Sequence, residues 1–220
     1  MTTEQATTTV PDLRRDQMLR AAAELIAERG FSETRIADVA RRSGASPALV
    51  IYYFGTKDQL LTEALRYSED IFYQSVAGQL ERLDTARERL ELLVRLTCVP
   101  EGDGEIPGAW GLWFDLWAQA LRHPEIAKDR IALDQRWRDT VDDVVRSGQA
   151  VGEIPKDADV ETFTLTFAAL LDGLSIQVAL LDPDVDPERA FALAMGYVAA
   201  ALGVDWALPV RRRRPSRTRR

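Results

Sequence analysis

The sequence lacks most of the residues on which disulfide frameworks and metal sites depend. Its 220 residues include one cysteine, Cys98, and one histidine, His123. A single cysteine cannot form an intrachain disulfide, and neither residue has the partners that a zinc site needs. Asparagine is absent, which excludes N-glycosylation, and the first thirty residues lack the basic and apolar regions of a signal peptide. We therefore expect a cytoplasmic protein without a metal or other cofactor.

Long apolar runs and catalytic groups are also scarce. The most apolar stretch, residues 163–181, approaches membrane-spanning length but contains Asp172 and several polar residues. We expect it to be a buried helix of a soluble protein and expect no membrane partner. His123 precedes Pro124 at a predicted helix start, and no other histidine is available as a base. The sequence therefore indicates a protein that is not an enzyme.

Charge is distributed unevenly along the chain. The formal net charge is −7, yet residues 12–57 carry eight Lys or Arg against six Asp or Glu. Residues 58–210 carry 13 against 28, and the tail from Arg211 adds seven arginines. Because salt screens charges over about 10 Å, a locally basic surface can bind nucleic acid although the whole protein is acidic.

Periodicity predicts an all-α fold. Sustained alternation of Val, Ile and Thr is absent, whereas apolar residues recur at helical spacing. Glycine and proline separate the helical segments. The predicted helices cover residues 13–29, a short segment of about nine residues capped by Thr34, and residues 47–54, 56–79, 85–98, 109–121, 124–147, 158–181 and 187–202. A loop is predicted at residues 100–108.

The second and third predicted helices have the spacing of a helix-turn-helix. Gly44 lies in the connection of about three residues, and Ser46 followed by Pro47 is an N-cap with proline at the first helical position. A turn this short fixes the angle between the helices, so that the second helix can enter the major groove of DNA. Free N–H groups at its start can bind a phosphate.

Residues 19–65, LRAAAELIAERGFSETRIADVARRSGASPALVIYYFGTKDQLLTEAL, resemble the DNA-binding unit of the TetR family of transcriptional regulators. The resemblance implies base-edge contacts from Pro47, Ala48, Leu49 and Ile51. It implies phosphate contacts from Tyr53 and Lys57, and backbone contacts at helix ends from Thr34 and Ser46. Arg35 and Tyr52 complete the predicted DNA-binding set.

This chain has Leu49 and Ile51 where many members of that family have a small polar residue and an aromatic one. Fewer hydrogen bonds are then available for base recognition, which leaves thymine-methyl contacts, Tyr52 or DNA shape as the source of specificity. Tyr53 could instead pack in the core, as is expected for Phe54. Arg41 and Arg42 could contact DNA or remain solvated surface charges.

The carboxy-terminal body is predicted to dimerise and to bind a small molecule. The last two helices are apolar over most of their circumference, so a homodimeric four-helix bundle would cover them. Regulators of the family bind inducers in this region, and residues 113–153 resemble the branch that includes the choline-responsive BetI regulators. The candidate ligand-binding residues are Trp110, Trp113, Phe114, Trp117, Trp137 and Asp172. Tryptophans with Asp172 or Asp115 would suit an organic cation; a larger hydrophobic ligand is the alternative.

Together these features predict a disordered segment at residues 1–11, a DNA-binding domain at 12–56, a ligand-binding and dimerisation domain at 57–207, and a disordered Arg-rich tail at 208–220. The predicted function is that of a repressor which a small-molecule inducer releases from a palindromic double-stranded DNA operator. A helical scaffold without specific DNA binding is the alternative interpretation.

Overall fold

The computed structural model describes residues 10–100, 108–121 and 124–206, and these residues form nine α-helices and no strand. The all-α prediction is therefore confirmed. In chain order the helices are α1 (Val10–Arg29), α2 (Ile36–Ser43), α3 (Pro47–Phe54), α4 (Lys57–Leu80), α5 (Ala86–Cys98), α6 (Gly108–Ala120), α7 (Pro124–Val151), α8 (Val160–Ala179) and α9 (Pro187–Leu202). Most of the predicted loop at 100–108, His123 and the Arg-rich tail lie outside the described residues.

Several predicted helix ends are confirmed by their capping bonds. Ser46 accepts a hydrogen bond from the N–H of Leu49 at the start of α3, and Thr56 accepts one from Gln59 at the start of α4. The sequence TKDQ from Thr56 is also the pattern of a capping box, but the reciprocal bond does not form, because the N–H of Thr56 donates to the carbonyl of Phe54. Helix α7 continues four residues beyond the predicted end and stops before Gly152, where φ is +84°.

The prediction that Thr34 caps α2 is wrong. The N-cap is Arg35, whose side chain makes no capping bond, and α2 begins at Ile36. Thr34 is fully buried and its hydroxyl donates to the carbonyl of Gly30 at 2.9 Å. The threonine therefore stabilises the turn that follows α1 and does not satisfy the first N–H groups of α2.

The chain divides into two compact units, of which the first comprises residues 1–82 and 101–136. Within it α1 packs against α2, α4 and α6. The predicted domain boundary at residue 56 stays a prediction, but α4 and α6 pack with the predicted DNA-binding helices in this unit. The largest buried side chains of its core are Met18, Leu19, Leu25, Ile26, Phe54, Leu60 and Leu61.

The second unit comprises residues 83–100 and 137–220. Helix α5 packs against both α8 and α9, and the rings of Phe163, Phe167 and Tyr197 stack with centroids 5.2–6.5 Å apart. Helix α8 is long and apolar enough to cross a membrane, but half of that window is buried inside the protein, as expected of a core helix. Apolar side chains on α8 and α9 nevertheless remain exposed in the single chain, namely Leu165, Ile176 and Leu193.

Close packing at Gly148 gives a first prediction. A Cβ atom on Gly148 would lie 2.7 Å from Ala86 Cβ and from Ile154 Cδ1, whereas a Cβ on Gly78 would meet nothing within 4 Å. We expect Gly148→Ala to lower the free energy of unfolding by about 1–3 kcal/mol through overpacking. The matched change Gly78→Ala should raise it by about 0.5–1 kcal/mol, because alanine favours a helix interior. Urea unfolding followed by circular dichroism measures both; equal effects would contradict the packing at Gly148.

Candidate functional site

One face of helix α3 packs into the core of the first unit, and the opposite face is exposed. Val50 and Phe54 are buried in the core, while Leu49 and Tyr53 are half-buried against it. The exposed side chains lie at i, i+1, i+4 and i+5, which is one face of a helix; they are Pro47, Ala48, Ile51 and Tyr52. Of the predicted base-contacting residues, three are therefore on the outward face, and Leu49 lies at its flank.

The turn between α2 and α3 has the length that the sequence predicted. Gly44 ends α2 in the left-handed conformation, with φ +68° and ψ +21°, a conformation that glycine adopts without the steric cost of a Cβ. The N–H of Ala45 donates to the carbonyl of Ala40 at 2.9 Å, and Ser46 caps α3. These bonds fix the direction of α3 relative to α2, which is the geometric requirement of a helix-turn-helix.

The arginines of α2 form ion pairs within the unit. Arg42 makes two hydrogen bonds of 2.8 Å to the carboxylate of Glu28 on α1 and lies 3.4 Å from Glu24. Because Glu28 accepts these bonds, the pKa of Arg42 is raised and that of Glu28 is lowered. Arg41 pairs with Asp38. The Arg42 ion pairs connect α1 and α2, the Arg41 pair lies within α2, and all of these charges are partly neutralised before any DNA is bound.

The other residues of the predicted DNA-binding set differ in exposure. Arg35 is exposed at the N-terminus of α2, and Ser46 is exposed at that of α3. Lys57 is half-buried and its ammonium donates to the carbonyl of Ser32 at 2.8 Å, which leaves two of its three donors for other partners. Thr34 is buried, so its hydroxyl is unavailable to DNA.

Helix α6 carries the aromatic cluster predicted to bind a ligand. The ring centroids of Trp113 and Trp117 lie 6.3 Å apart and those of Phe114 and Trp117 lie 5.8 Å apart. Trp110 is buried, and Trp113 packs against the core of the first unit. All four aromatic side chains therefore lie on the same helix, and Trp113 also packs against the core of the first unit.

The other two predicted ligand residues belong to the second unit. Trp137 is half-buried, and Asp172 is exposed on α8. Although most of its neighbours in sequence are apolar, Asp172 lies on the outward face of α8, beside Leu165 and Ile176. Its role in ligand binding stays a prediction.

Asp115 has a defined structural partner. The backbone N–H of Phe31, in the turn after α1, donates to Asp115 Oδ2 on α6. A Cβ on Gly30 would lie 3.6 Å from the same oxygen, so the turn passes close to the carboxylate. The sequence suggests Asp115 as a possible partner for a cationic ligand; in the structure its Oδ2 accepts from the turn between α1 and α2 and holds that turn against α6.

Glu69 is a buried carboxylate that the sequence interpretation missed. It is 7% exposed on α4, where Tyr73 is also buried. The guanidinium of Arg136 lies over the Tyr73 ring at 4.2 Å and pairs with exposed Asp70 at 2.7 Å. A usable signal was present: Glu69 continues the helical spacing of Leu65 and Tyr73, which marks the buried face of α4.

Within the described ranges, no group of three or more His, Cys, Asp or Glu side chains could hold a metal ion. The aromatic side chains on α6 offer π faces, a chemistry that suits an organic cation better than a metal ion. Glu69 is a buried carboxylate on a different helix, α4, of the same unit.

Family comparison agrees with this geometry. Residues 18–64 match the model of bacterial regulatory proteins of the tetR family, and residues 86–203 match the model of the BetI-type transcriptional repressor C-terminal region. The second match covers more than half of the chain. The chain belongs to the TetR family, with a BetI-type carboxy-terminal region. It is a helix-turn-helix transcriptional regulator and, as predicted, not an enzyme.

Relatives of this TetR-family regulator match over nearly the whole chain. The transcriptional regulator BetI of Stenotrophomonas maltophilia is 28% identical, with 86% of this chain and 93% of that protein covered. BetI of Escherichia coli K12 is 27% identical over 88% of this chain and 96% of its own length. A regulator from Saccharomonospora viridis, solved in complex with choline, is 30% identical with a TM-score of 0.73, covering 84% of this chain and 94% of that one.

The contact between Asp115 and Phe31 gives the second prediction. Asp115→Ala should lower the free energy of unfolding by about 1–3 kcal/mol, because it removes the acceptor of a part-buried N–H group. Asp115→Asn is the matched control: it keeps an acceptor oxygen of similar size and should lose less. Chemical unfolding measures both variants. An Ala variant within about 0.5 kcal/mol of the parent would show that the bond contributes little.

Proposed function

We propose that this regulator is a repressor that binds a palindromic operator as a homodimer and is released by a small-molecule inducer. The observation that carries the DNA-binding part is the outward face of α3, which is capped by Ser46, packed against the core from behind, and exposed along Pro47, Ala48, Ile51 and Tyr52. Such a face fits the major groove, which is about 12 Å wide.

Phosphate contacts would come from groups that flank this face. Arg35 and Ser46 are exposed at the N-termini of α2 and α3, where backbone N–H groups also favour an anion. Lys57 retains donors beyond its bond to Ser32, and the half-buried ring of Tyr53 leaves a hydroxyl able to reach a phosphate. We assign positioning on the DNA backbone to these four residues.

Dimerisation is supported by the outward faces of α8 and α9. Leu165 is 60% exposed, and Ile176 and Leu193 also expose apolar surface that water solvates poorly. Pairing these helices with those of a second copy would remove the apolar surface from water in a four-helix arrangement. Two-fold symmetry would then present two copies of α3 to two half-sites, which explains why we expect a palindrome.

The ligand that the first unit suits best is an organic cation of the quaternary ammonium class. Trp110, Trp113 and Trp117 on α6 would provide π faces, and Glu69, a buried carboxylate on α4 of the same unit, would provide the opposite charge. Tryptophan attracts such cations more strongly than other aromatic side chains do. The structure of a 30% identical regulator contains choline, and this supports the same ligand class here.

Release from DNA would follow from the position of α6. This helix carries the aromatic cluster and also holds the turn after α1 through Asp115 and Phe31. A ligand that binds more tightly when α6 is in one placement than in another therefore also favours one conformation of the turn that leads into α2. Such a differential affinity is what allows a ligand to shift the protein away from its DNA-binding state.

Selection from random duplex DNA tests the DNA assignment. We expect the full-length protein to enrich a palindromic sequence with half-sites about one helical turn apart. Arg35→Ala should weaken binding to that sequence and reduce the slope of log affinity against log salt by about two for a dimer, since one phosphate contact per chain is lost. The charge-matched control Arg82→Ala, also exposed, should leave the slope unchanged. Failure to enrich any sequence would favour a helical scaffold.

Choline titration, followed by tryptophan fluorescence, tests the ligand assignment. We expect saturable binding of choline and none of 3,3-dimethyl-1-butanol, which has the same shape without the charge. Glu69→Gln should weaken choline binding at least about tenfold, because a buried opposite charge is lost. Asp70→Asn, the exposed carboxylate next in the chain, is the control and should bind normally. Equal binding of choline and its neutral analogue would contradict a cation site.

A further inference from the structure

We propose that the outward face of α3 recognises its operator through the methyl groups of thymine, with Ile51 and the ring of Tyr52 as the specificity-determining contacts. The inference rests on the proposed DNA-binding function and names the chemical group of the operator that α3 recognises. It makes A·T pairs, with thymine on a defined strand, the main recognition element.

The composition of this face is the first observation. Ile51 is 49% exposed and Tyr52 is 81% exposed, although both are large side chains with extensive apolar surface. Pro47 and Ala48 are exposed beside them, and α3 carries no charged residue in its first or last turn. The only polar atom that these four side chains present to a bound duplex is the hydroxyl of Tyr52.

The chemistry of base edges excludes most other modes of direct recognition. Guanine is recognised by the paired donors of Arg or by Lys, adenine by the amide of Asn or Gln, and cytosine by a carboxylate. None of these groups lies on the outward face of α3. Thymine differs from the other three bases by its C5-methyl group, and apolar side chains are the groups that contact it.

Charged residues near α3 do not supply the missing contacts. Arg42 is held by two hydrogen bonds to Glu28, Arg41 pairs with Asp38, and Arg29 lies 3.2 Å from that same carboxylate. Moving Arg42 or Arg29 to a base edge would break an ion pair that connects α1 and α2, and moving Arg41 would break an ion pair within α2. Base recognition therefore falls to the apolar residues, whose contacts with water are unfavourable in the free protein.

The position of these side chains is fixed by the core behind them. Val50 and Phe54 are buried at 0% and 2% exposure, and Ile51 follows Val50 directly on a helix of eight residues. A rigid helix places the Ile51 side chain at one depth in the groove. It can therefore distinguish a methyl group from a hydrogen at a single base position.

Replacing thymine by deoxyuridine tests the inference, because the two bases pair identically and differ only in the methyl group. The probe is the duplex recovered by selection from random DNA, with one thymine at a time replaced symmetrically in both half-sites. Burying one methyl group contributes about fourfold in affinity, so we expect one or two positions at which the symmetric replacement weakens binding about sixteenfold. Other positions should change less than about twofold.

A double-mutant cycle assigns the methyl contact to its residue. In Ile51→Ala the effect of deoxyuridine at the contacted position should fall below about twofold, since the partner of the methyl group is gone. Ile131→Ala is the matched control: it removes the same atoms from an isoleucine that is 58% exposed on α7, and it should keep the full deoxyuridine effect. Tyr52→Phe should also keep the sensitivity to deoxyuridine, because the ring is retained.

The outcomes separate this inference from the function on which it rests. An enriched palindrome whose affinity survives replacement of every thymine overturns methyl recognition and leaves the regulator assignment intact. An enriched palindrome with G·C pairs throughout its half-sites does the same. Failure to enrich any sequence overturns both. A deoxyuridine effect that persists unchanged in Ile51→Ala assigns recognition to another residue and overturns the role of Ile51.

Discussion

Burial of Val50 and Phe54 is the constraint on which the DNA-binding function of this protein depends. Both side chains lie in a core built mainly by α1 and α4, and they leave α3 only one possible outward face. The short turn with Gly44 in the left-handed conformation then sets the direction of that helix. Ordinary hydrophobic packing thus determines which four side chains a DNA groove would meet.

The first unit also joins α6, the helix proposed to bind the ligand, to the helix-turn-helix. Helix α6 contributes Leu116 and Trp113 to the same core as α1, and its Asp115 binds the backbone of the turn after α1. A displacement of α6 therefore cannot leave that turn unchanged. Because packed cores have discrete arrangements, a small ligand-induced shift at α6 can favour a different arrangement of the whole unit.

Much of this fold could be predicted from the sequence because its signals are local. The bounds of α3 and α9 follow from Ser-Pro and Asp-Pro at their starts, and the helix-turn-helix follows from the spacing around Gly44. The role of Thr34 could not be predicted, since a buried threonine that bonds Gly30 has the same local sequence as an N-cap.

The candidate site could be predicted only in part, for the same physical reason. Ion pairs such as Arg42 with Glu28, and the bond from Phe31 to Asp115, join residues far apart in the chain, and no local pattern marks them. Asp172 has mostly apolar neighbours in sequence, yet it is exposed in the single chain, because exposure depends on which face of α8 a residue occupies. Glu69 is the opposite case: its charge suggests an exposed residue, but it lies on the buried face of α4.

The most direct test of this account is the affinity of the full-length protein for its selected operator, measured with and without choline at a concentration that saturates the tryptophan signal. The account predicts that choline weakens operator binding at least about fivefold, and that operator DNA weakens choline binding by the same factor, because coupling between two sites is reciprocal. An operator affinity that is unchanged by saturating choline would contradict the coupling of α6 to the DNA-binding helices.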